Sequence, residues 1–163
     1  MQGFLVENTR VIQAFSPKDI VSAGVNGIWV NMANYSKVQV ALITGAWAGG
    51  TSAVTIEQAT VSTGGDAKAL AFTFRYVSLG GQTAGNDAIT KTAVTSNTFT
   101  LGTANQVNQV EILATDLDIN NGFKFVRVVL ATPGANADLV AGAYILYDAD
   151  YAMTPANLPT GIQ

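Results

Sequence analysis

Apolar and polar residues alternate along much of this chain. Leu70, Phe72, Phe74 and Tyr76 are each separated by a single residue, and a similar alternation recurs over 123–125. Successive side chains of a β-strand point to opposite sides, so a period of two predicts a strand that aims these four side chains into a core. The segment 67–77 is therefore the clearest strand signal.

A second pattern is a short run that is apolar at nearly every position. Residues 38–43 form such a run, which is typical of a central strand covered on both faces. Other runs rich in Val, Ile, Thr and aromatic residues are separated by clusters of Gly, Asn, Ser and Asp, as in antiparallel proteins. The predicted strands are 9–15, 27–32, 37–44, 53–61, 67–77, 98–102, 107–114, 123–131 and 139–147.

Helical signals are few. Ser16 followed by Pro17 predicts one short turn over 16–21, and a second turn is predicted at 114–117. With about nine strands, the chain is predicted to be all-β, an antiparallel β-sandwich or jelly roll, with an open barrel as the alternative. No linker or internal repeat divides residues 1–163, so we expect a single domain.

Four segments are predicted to be loops or extended tails, and the loops are rich in Gly, Thr and Asn. Residues 45–50 place Trp47 among glycines, and 78–97 have almost no charge. A loop this long within a compact domain is uncommon and is usually functional or disordered. The segments 1–8 and 152–163 lack a core pattern and are predicted to be extended arms.

Composition excludes several classes of function. The 163 residues contain no cysteine and no histidine, which removes disulfides, thiolate metal sites and the commonest general base. Eight basic residues are scattered among 11 acidic ones, for a net charge of -3, so we expect no nucleic-acid partner. The longest apolar run, 139–146, is far short of the ~20 residues that span a bilayer, and no secretory signal is visible, so no membrane association is expected.

One loop imitates a calcium site. Asp116, Asp118 and Asn120 are spaced as in an EF-hand, where each would supply an oxygen. Gly122 comes one residue late, however, and Arg127 stands where a bidentate Glu is needed. We therefore favour a structural Asx-rich turn and predict no metal.

Catalytic patterns are weaker still. Asp148 and Asp150 pair two carboxylates after a strand, but nothing else indicates an acidic cleft. No serine lies in a nucleophile elbow, and the glycine pairs at 49–50, 64–65 and 80–81 are not followed by Lys-Ser or Lys-Thr. We expect neither an enzyme nor a bound cofactor.

The two tryptophans carry different expectations. Trp29 lies in an apolar strand and is predicted to be in the core. Trp47, among glycines, is either folded back over the end of the sandwich or exposed as an interface anchor, and both interpretations remain open.

Several segments resemble small virion proteins encoded near the head genes of tailed bacteriophages. The resemblance lies in 16–20, 23–35, 55–59 and 116–123, whose Gly, Asn and aromatic positions are its marks. It implies a virion component assembled in the host cytoplasm, most simply an auxiliary capsid decoration (cement) protein that binds the major capsid protein. Proteins of this kind act through surfaces, so the resemblance transfers no functional residue.

A lattice-binding protein is expected to be a homo-oligomer, with a trimer favoured, because repeated weak contacts give firm attachment. The candidate interface residues are Phe4, Leu5, Trp47, Leu79, Met153 and Leu158. Two alternatives remain. One is a head–tail joining or tail component; the other is a carbohydrate-binding β-sandwich module with Trp47 and Tyr35 as stacking platforms.

Overall fold

The computed structural model describes residues 5–79, 88–150 and 159–162. In this part of the chain the protein is all-β, with twelve strands and three single-turn 3-10 helices. The strands are β1 (Thr9–Asp19), β2 (Val25–Asn26), β3 (Val30–Asn31), β4 (Tyr35–Trp47), β5 (Ser52–Ala59), β6 (Lys68–Ala69), β7 (Phe74–Leu79), β8 (Ile89–Ala93), β9 (Thr98–Leu101), β10 (Gln106–Leu113), β11 (Phe125–Leu130) and β12 (Asp138–Ala149). The 3-10 helices are Leu5–Glu7, Ala114–Asp116 and Ile119–Asn121.

The strands form two antiparallel sheets. Sheet A has the order β1-β12-β4-β10-β7-β8. Sheet B has the order β2-β11-β5-β6, with β3 also pairing with β11 and β9 with β5. The predicted antiparallel β-sandwich is confirmed. The predicted strand 67–77 is split into β6 and β7, and β2 and β8 were missed, which raises the count from nine to twelve.

The core lies between the two sheets and contains alternate residues from the long strands, such as β4 and β11. Val40 and Leu42 of β4 and Val126 and Val128 of β11 are buried in one continuous cluster. Burying a side chain of this size contributes about 1.5–3 kcal/mol relative to leaving it exposed. The period of two along each strand therefore accounts for the sandwich.

The predicted strand 67–77 is wrong in one respect. Leu70 and Phe72 are buried, but Phe74 is 45% exposed and Tyr76 is half-buried. The reason is that the chain changes sheets here, since β6 pairs with β5 in sheet B and β7 pairs with β10 in sheet A. Apolar residues keep alternating through 70–76. Before the crossing, however, they point into the core, and after it they point away from the core.

The run 38–43 also differs from its prediction. It lies in β4, which is central in sheet A as expected. Val38, Val40 and Leu42 are buried, whereas Ile43 is 52% exposed and Ala41 is half-buried. Among the described residues, no element covers the second face of this strand. The prediction of a strand covered on both faces is therefore wrong.

Other boundaries shift because strands run further than their sequences indicate. Residues 16–21 do not form a helical turn, since β1 continues to Asp19 and pairs with β12. Residues 45–47 belong to β4 instead of a loop, and β8 lies within the predicted loop 78–97. Of the predicted strand 27–32 only Val30–Asn31 is a strand, and β2 lies just before this range, whereas the predicted turn at 114–117 is confirmed as a 3-10 helix.

The described part of the C-terminal segment contacts the domain itself. The Tyr35 hydroxyl donates a hydrogen bond of 2.6 Å to the Pro159 carbonyl. The Asn31 backbone N–H donates one of 2.7 Å to the Gly161 carbonyl. The rest of the predicted arms, residues 1–4, 152–158 and 163, lies outside the described residues.

Candidate interaction surface on the outer face of sheet A

The side of sheet A that points away from the core is built from the outward positions of its strands. One row of these positions runs straight across the sheet. Ala143 of β12 lies opposite Ala41 of β4, which lies opposite Gln109 of β10. Gln109 then lies opposite Tyr76 of β7, and Tyr76 opposite Lys91 of β8. We call this side of the sheet the outer face of sheet A.

The next row is almost entirely apolar. Ala141 lies opposite Ile43, and Ile43 opposite Val107. The row continues through Ser78 to Ile89, which is 63% exposed. Antiparallel register therefore brings apolar side chains from four strands, separated by one serine, onto one continuous line.

Exposed apolar side chains are concentrated on this face. The outward positions of sheet A with large exposed apolar side chains are Val11, Ile43, Phe74, Ile89, Leu113 and Leu139. Single exposed apolar residues are ordinary on a protein surface, but a contiguous set marks an interaction site. Each of the six strands of sheet A contributes one such residue, and Ile43 is contiguous with the apolar neighbours Ala141 and Val107.

Charges on this face are few and already have partners. In the described strands β4, β7, β8 and β10, the charges at outward positions are Lys37, Lys91 and Glu111. Lys37 forms an ion pair of 2.9 Å with Asp148, whose hydrogen bond raises the pKa of Lys37. The Lys91 ammonium lies 3.8 Å from the centre of the Phe74 ring. The face therefore carries almost no free charge.

Tyr147 lies next to this group and close to Glu111. Burial and, after it, the neighbouring Glu111 carboxylate raise the pKa of Tyr147. Gln39 and Gln109 hydrogen-bond to each other across the face, with Nε2 donating to Oε1 over 3.1 Å. The polar groups of the face are thus largely satisfied by their neighbours.

A groove of about 380 Å³ lies where this face meets the crossing segment 71–73. Phe72, Phe74 and Tyr76 line it together with Glu111 and the nearby 3-10 helix. The groove adds aromatic surface to the side of the face formed by β7 and β10.

The outer face of sheet B is organised differently, because its own side chains cover it. The Arg127 Nε lies 2.7 Å from Glu57 Oε2, and the Arg127 guanidinium lies 4.6 Å from the centre of the Trp29 ring. Trp29 is buried against Ala59 and Phe125. The prediction that Trp29 is buried is confirmed, although it packs in this small cluster outside the main core.

Trp47 is half-buried and packs against the main core. Its Nε1–H donates a hydrogen bond of 3.1 Å to the Gly50 carbonyl. The next two backbone N–H groups, of Ala48 and Gly49, donate to the buried Asp138 Oδ1 at 2.6 and 3.3 Å. Of the two arrangements that the sequence left open for Trp47, the structure has the one in which the indole is folded back over the end of the sandwich.

The remaining candidate residues fall in separate places. Leu5 is 79% exposed and lies beside Thr9, at the end of sheet A where β4 begins. Leu79 is 52% exposed and lies opposite Gln106, at the other end, towards Trp47. Phe4, Met153 and Leu158 lie outside the described residues. Tyr35 is almost fully buried, so the prediction of a sugar-stacking platform at this residue is wrong.

In the acidic turn 116–122, the Asp118 carboxylate is bound by neighbouring side chains of the protein. Asp118 Oδ2 pairs with Lys68 Nζ at 2.5 Å, and Asn121 Nδ2 donates to both Asp118 oxygens. These contacts, with Lys68 first, lower the pKa of Asp118. Gly122 ends the turn in the left-handed region at φ 82°. Within residues 5–79, 88–150 and 159–162, no group of three or more Asp or Glu side chains is placed to hold a metal ion.

Comparisons with known proteins find little. No family model matches the chain, and no curated protein matches it. A solved structure titled "Structure of infectious bursal disease virus Gt strain" matches with 15% identity and a TM-score of 0.23. The match covers 93% of this chain and 44% of that chain. No helix in the described part of the chain is long and apolar enough to cross a membrane.

Proposed function

We propose that this protein is a non-enzymatic structural component of a virion, an auxiliary decoration (cement) protein that binds the major capsid protein as an oligomer. The observation that carries the proposal is the outer face of sheet A, where Val11, Ile43 and Ile89 are exposed on one open sheet. The phage-like segments of the sequence supply the virion context.

The chemistry of this face suits binding to protein. Apolar and aromatic residues are enriched in the cores of protein interfaces, whereas charged residues are depleted there. A ligand of nucleic acid would need clustered cations, and the few cations of this face are paired or lie over aromatic rings. The face therefore favours a protein partner.

A sandwich of this kind can attach to a capsid without a deep pocket. On a lattice, each copy that is bound places its neighbours at high effective concentration, so modest single contacts add up to firm attachment. The inferred working location is the virion, after assembly in the host cytoplasm, and the inferred partners are the major capsid protein and sister copies.

The test is binding to capsids together with copy number. Purified protein is mixed with capsids assembled from the major capsid protein alone and pelleted, and quantitative mass spectrometry counts its copies in purified virions. The proposal expects saturable pelleting and a copy number in fixed ratio to the major capsid protein. No pelleting, or only a few copies per virion, would overturn it; few copies would instead indicate the head–tail or tail role.

A further inference from the structure

We infer that the outer face of sheet A packs against the same face of a second copy of this chain. The inference rests on the proposed function and deepens it, because it assigns this face to the contact between sister copies in the oligomer that the proposed function requires. Four observations support it: the area of the face, the sizes of its side chains, its charge and the protected edges of sheet A.

The area is adequate for a stable complex. Six strands at about 4.8 Å spacing make the sheet about 29 Å wide, and the outward positions from Leu139 to Tyr147 extend about 26 Å at ~3.3 Å per residue. The shorter outer strands reduce the product to on the order of 700 Å², close to the ~800 Å² that each partner contributes to a standard interface.

The arrangement of small and large side chains on the face permits close approach of another sheet. The middle of the face contains Ala41, Ala141 and Ala143, whose side chains end at Cβ. Larger side chains stand on either side, including Val11 on β1 and Ile43 further along β4. Packed sheets lie about 10 Å apart with interdigitating side chains, which this alternation of small and large residues allows.

The charge of the face suits contact with an identical surface. When a face meets its own copy, any net charge on it meets the same charge, which disfavours association. Here the ion pair of Lys37 and Asp148 is neutral, and Lys91 and Glu111 offset each other. Like faces can therefore come together without repulsion.

The edges of sheet A are poorly suited to association, which leaves the face. On the β1 edge, the Ala14 carbonyl already accepts the Ile28 N–H at 2.9 Å, and the register shifts twice between Gln13 and Lys18. On the β8 edge, the strand is five residues long and has Lys91 at its middle. Bulges, short strands and lysine are the features that prevent pairing at sheet edges.

The first experiment is sedimentation equilibrium on the full chain and two variants. I43K places a charge in the middle of the face at a position that is already half exposed, so the fold tolerates it. T100K is the matched control, since Thr100 is exposed on the outer face of sheet B. Because contact between identical faces gives a closed two-fold dimer, we expect the wild type and T100K to be dimers and I43K to associate at least about tenfold more weakly. Circular dichroism verifies that both variants are folded.

A second measurement does not depend on destabilising the contact. Because the chain has no cysteine, single reporters can be introduced as I43C and T100C. In the oligomer, a water-soluble maleimide should modify I43C at least about tenfold more slowly than T100C, and dilution should remove the difference. A monomeric wild type, or equal modification of the two reporters in an oligomer, would overturn the inference.

The capsid-pelleting assay separates this inference from the proposed function. An oligomer protected at I43C that does not bind capsids leaves the inference standing and removes the decoration role. A monomer that binds capsids removes the inference and leaves the decoration role standing.

Discussion

The backbone N–H of Val128 donates a hydrogen bond of 2.9 Å to the hydroxyl of Tyr144, and this bond joins the two sheets through the core. Tyr144 belongs to β12 of sheet A and is fully buried, whereas Val128 belongs to β11 of sheet B. The phenol reaches β11 in the gap between β2 and β3, where Gly27 donates its N–H to the Val128 carbonyl. The hydroxyl thus accepts the Val128 N–H in place of a backbone carbonyl of a neighbouring strand.

Removing this hydroxyl should destabilise the fold. In Tyr144→Phe, the buried Val128 N–H loses its acceptor, and a buried donor left unsatisfied costs about 1–3 kcal/mol. Urea unfolding followed by tryptophan fluorescence measures the loss. Tyr76→Phe is the control, because Tyr76 is half-buried on the outer face of sheet A, and it should change stability by less. Equal losses in the two variants would contradict the structural role of the bond.

Gly27 is required by the same arrangement. A Cβ at this position would lie 2.4 Å from the Tyr144 hydroxyl oxygen and 3.1 Å from Val128 Cγ1. We expect Gly27→Ala to cost about 1–3 kcal/mol through overpacking. The Tyr144→Phe background removes the clashing oxygen, so the double variant should lose less than the sum of the single losses. Strict additivity in this double-mutant cycle would show that the two residues are not coupled.

Stability should fall at high pH because of Tyr144. Burial raises the pKa of Tyr144 above its ordinary value of 10.0. Above about pH 10 the unfolded chain loses this proton while the folded chain keeps it, so the free energy of unfolding decreases by up to ~1.4 kcal/mol per pH unit for this group. Below pH 10 both states hold the proton and the contribution is constant. Urea unfolding at pH 8 and pH 11 should show a smaller decrease in Tyr144→Phe than in the wild type; identical decreases would exclude Tyr144 as a source.

The strands were predictable from sequence because alternation is a local property. It correctly grouped Leu70 with Phe72, and it identified 38–43 as a strand of the sheet interior. Alternation specifies which residues share a side, however, and not what lies opposite that side. That is why the exposed side of β4 at Ile43 was assigned to the core, and why the change of sheet before Phe74 was missed.

The candidate surface was harder to predict because it is assembled across strands. Val11, Ile43 and Ile89 are far apart in sequence, and only the register of sheet A aligns them on one face. One local signal was available, since a run such as 38–43 that is apolar on both sides fits either a doubly covered strand or a strand with an exposed apolar face. Trp47 and Leu79 drew attention because they lie in glycine-rich or uncharged segments, which is a feature of loops and not of this face.

On the outer face of sheet B, Arg127 should protect Trp29 from solvent. Its guanidinium lies 4.6 Å from the centre of the indole ring and pairs with Glu57. We expect Arg127→Ala to cost about 1 kcal/mol, from the lost cation–π contact and a partly exposed ion pair. In a Trp47→Phe background, acrylamide should quench Trp29 fluorescence more strongly once Arg127 is removed. Glu57→Gln, which keeps Arg127 in place, should leave quenching nearly unchanged, and an equal increase in both would contradict this account.

Asp138 should hold the loop that follows β4, residues 48–50, and with it the position of Trp47. Its side chain is fully buried, and Oδ1 accepts the N–H groups of Ala48 and Gly49. Asp138→Ala removes the acceptor of Gly49 and leaves Ala48 with only the Ala137 carbonyl at 3.2 Å, so we expect a loss of about 1–3 kcal/mol for a Gly49 N–H that water does not reach. In a Trp29→Phe background, Trp47 should become more accessible to acrylamide. Asp138→Asn retains an acceptor oxygen and should restore the protection of Trp47, although its amide N–H₂ then replaces Oδ2, which is buried without a hydrogen-bond partner. If Trp47 stays equally protected in Asp138→Ala, the loop is held by the packing of the indole against the core, and the carboxylate is not what positions it.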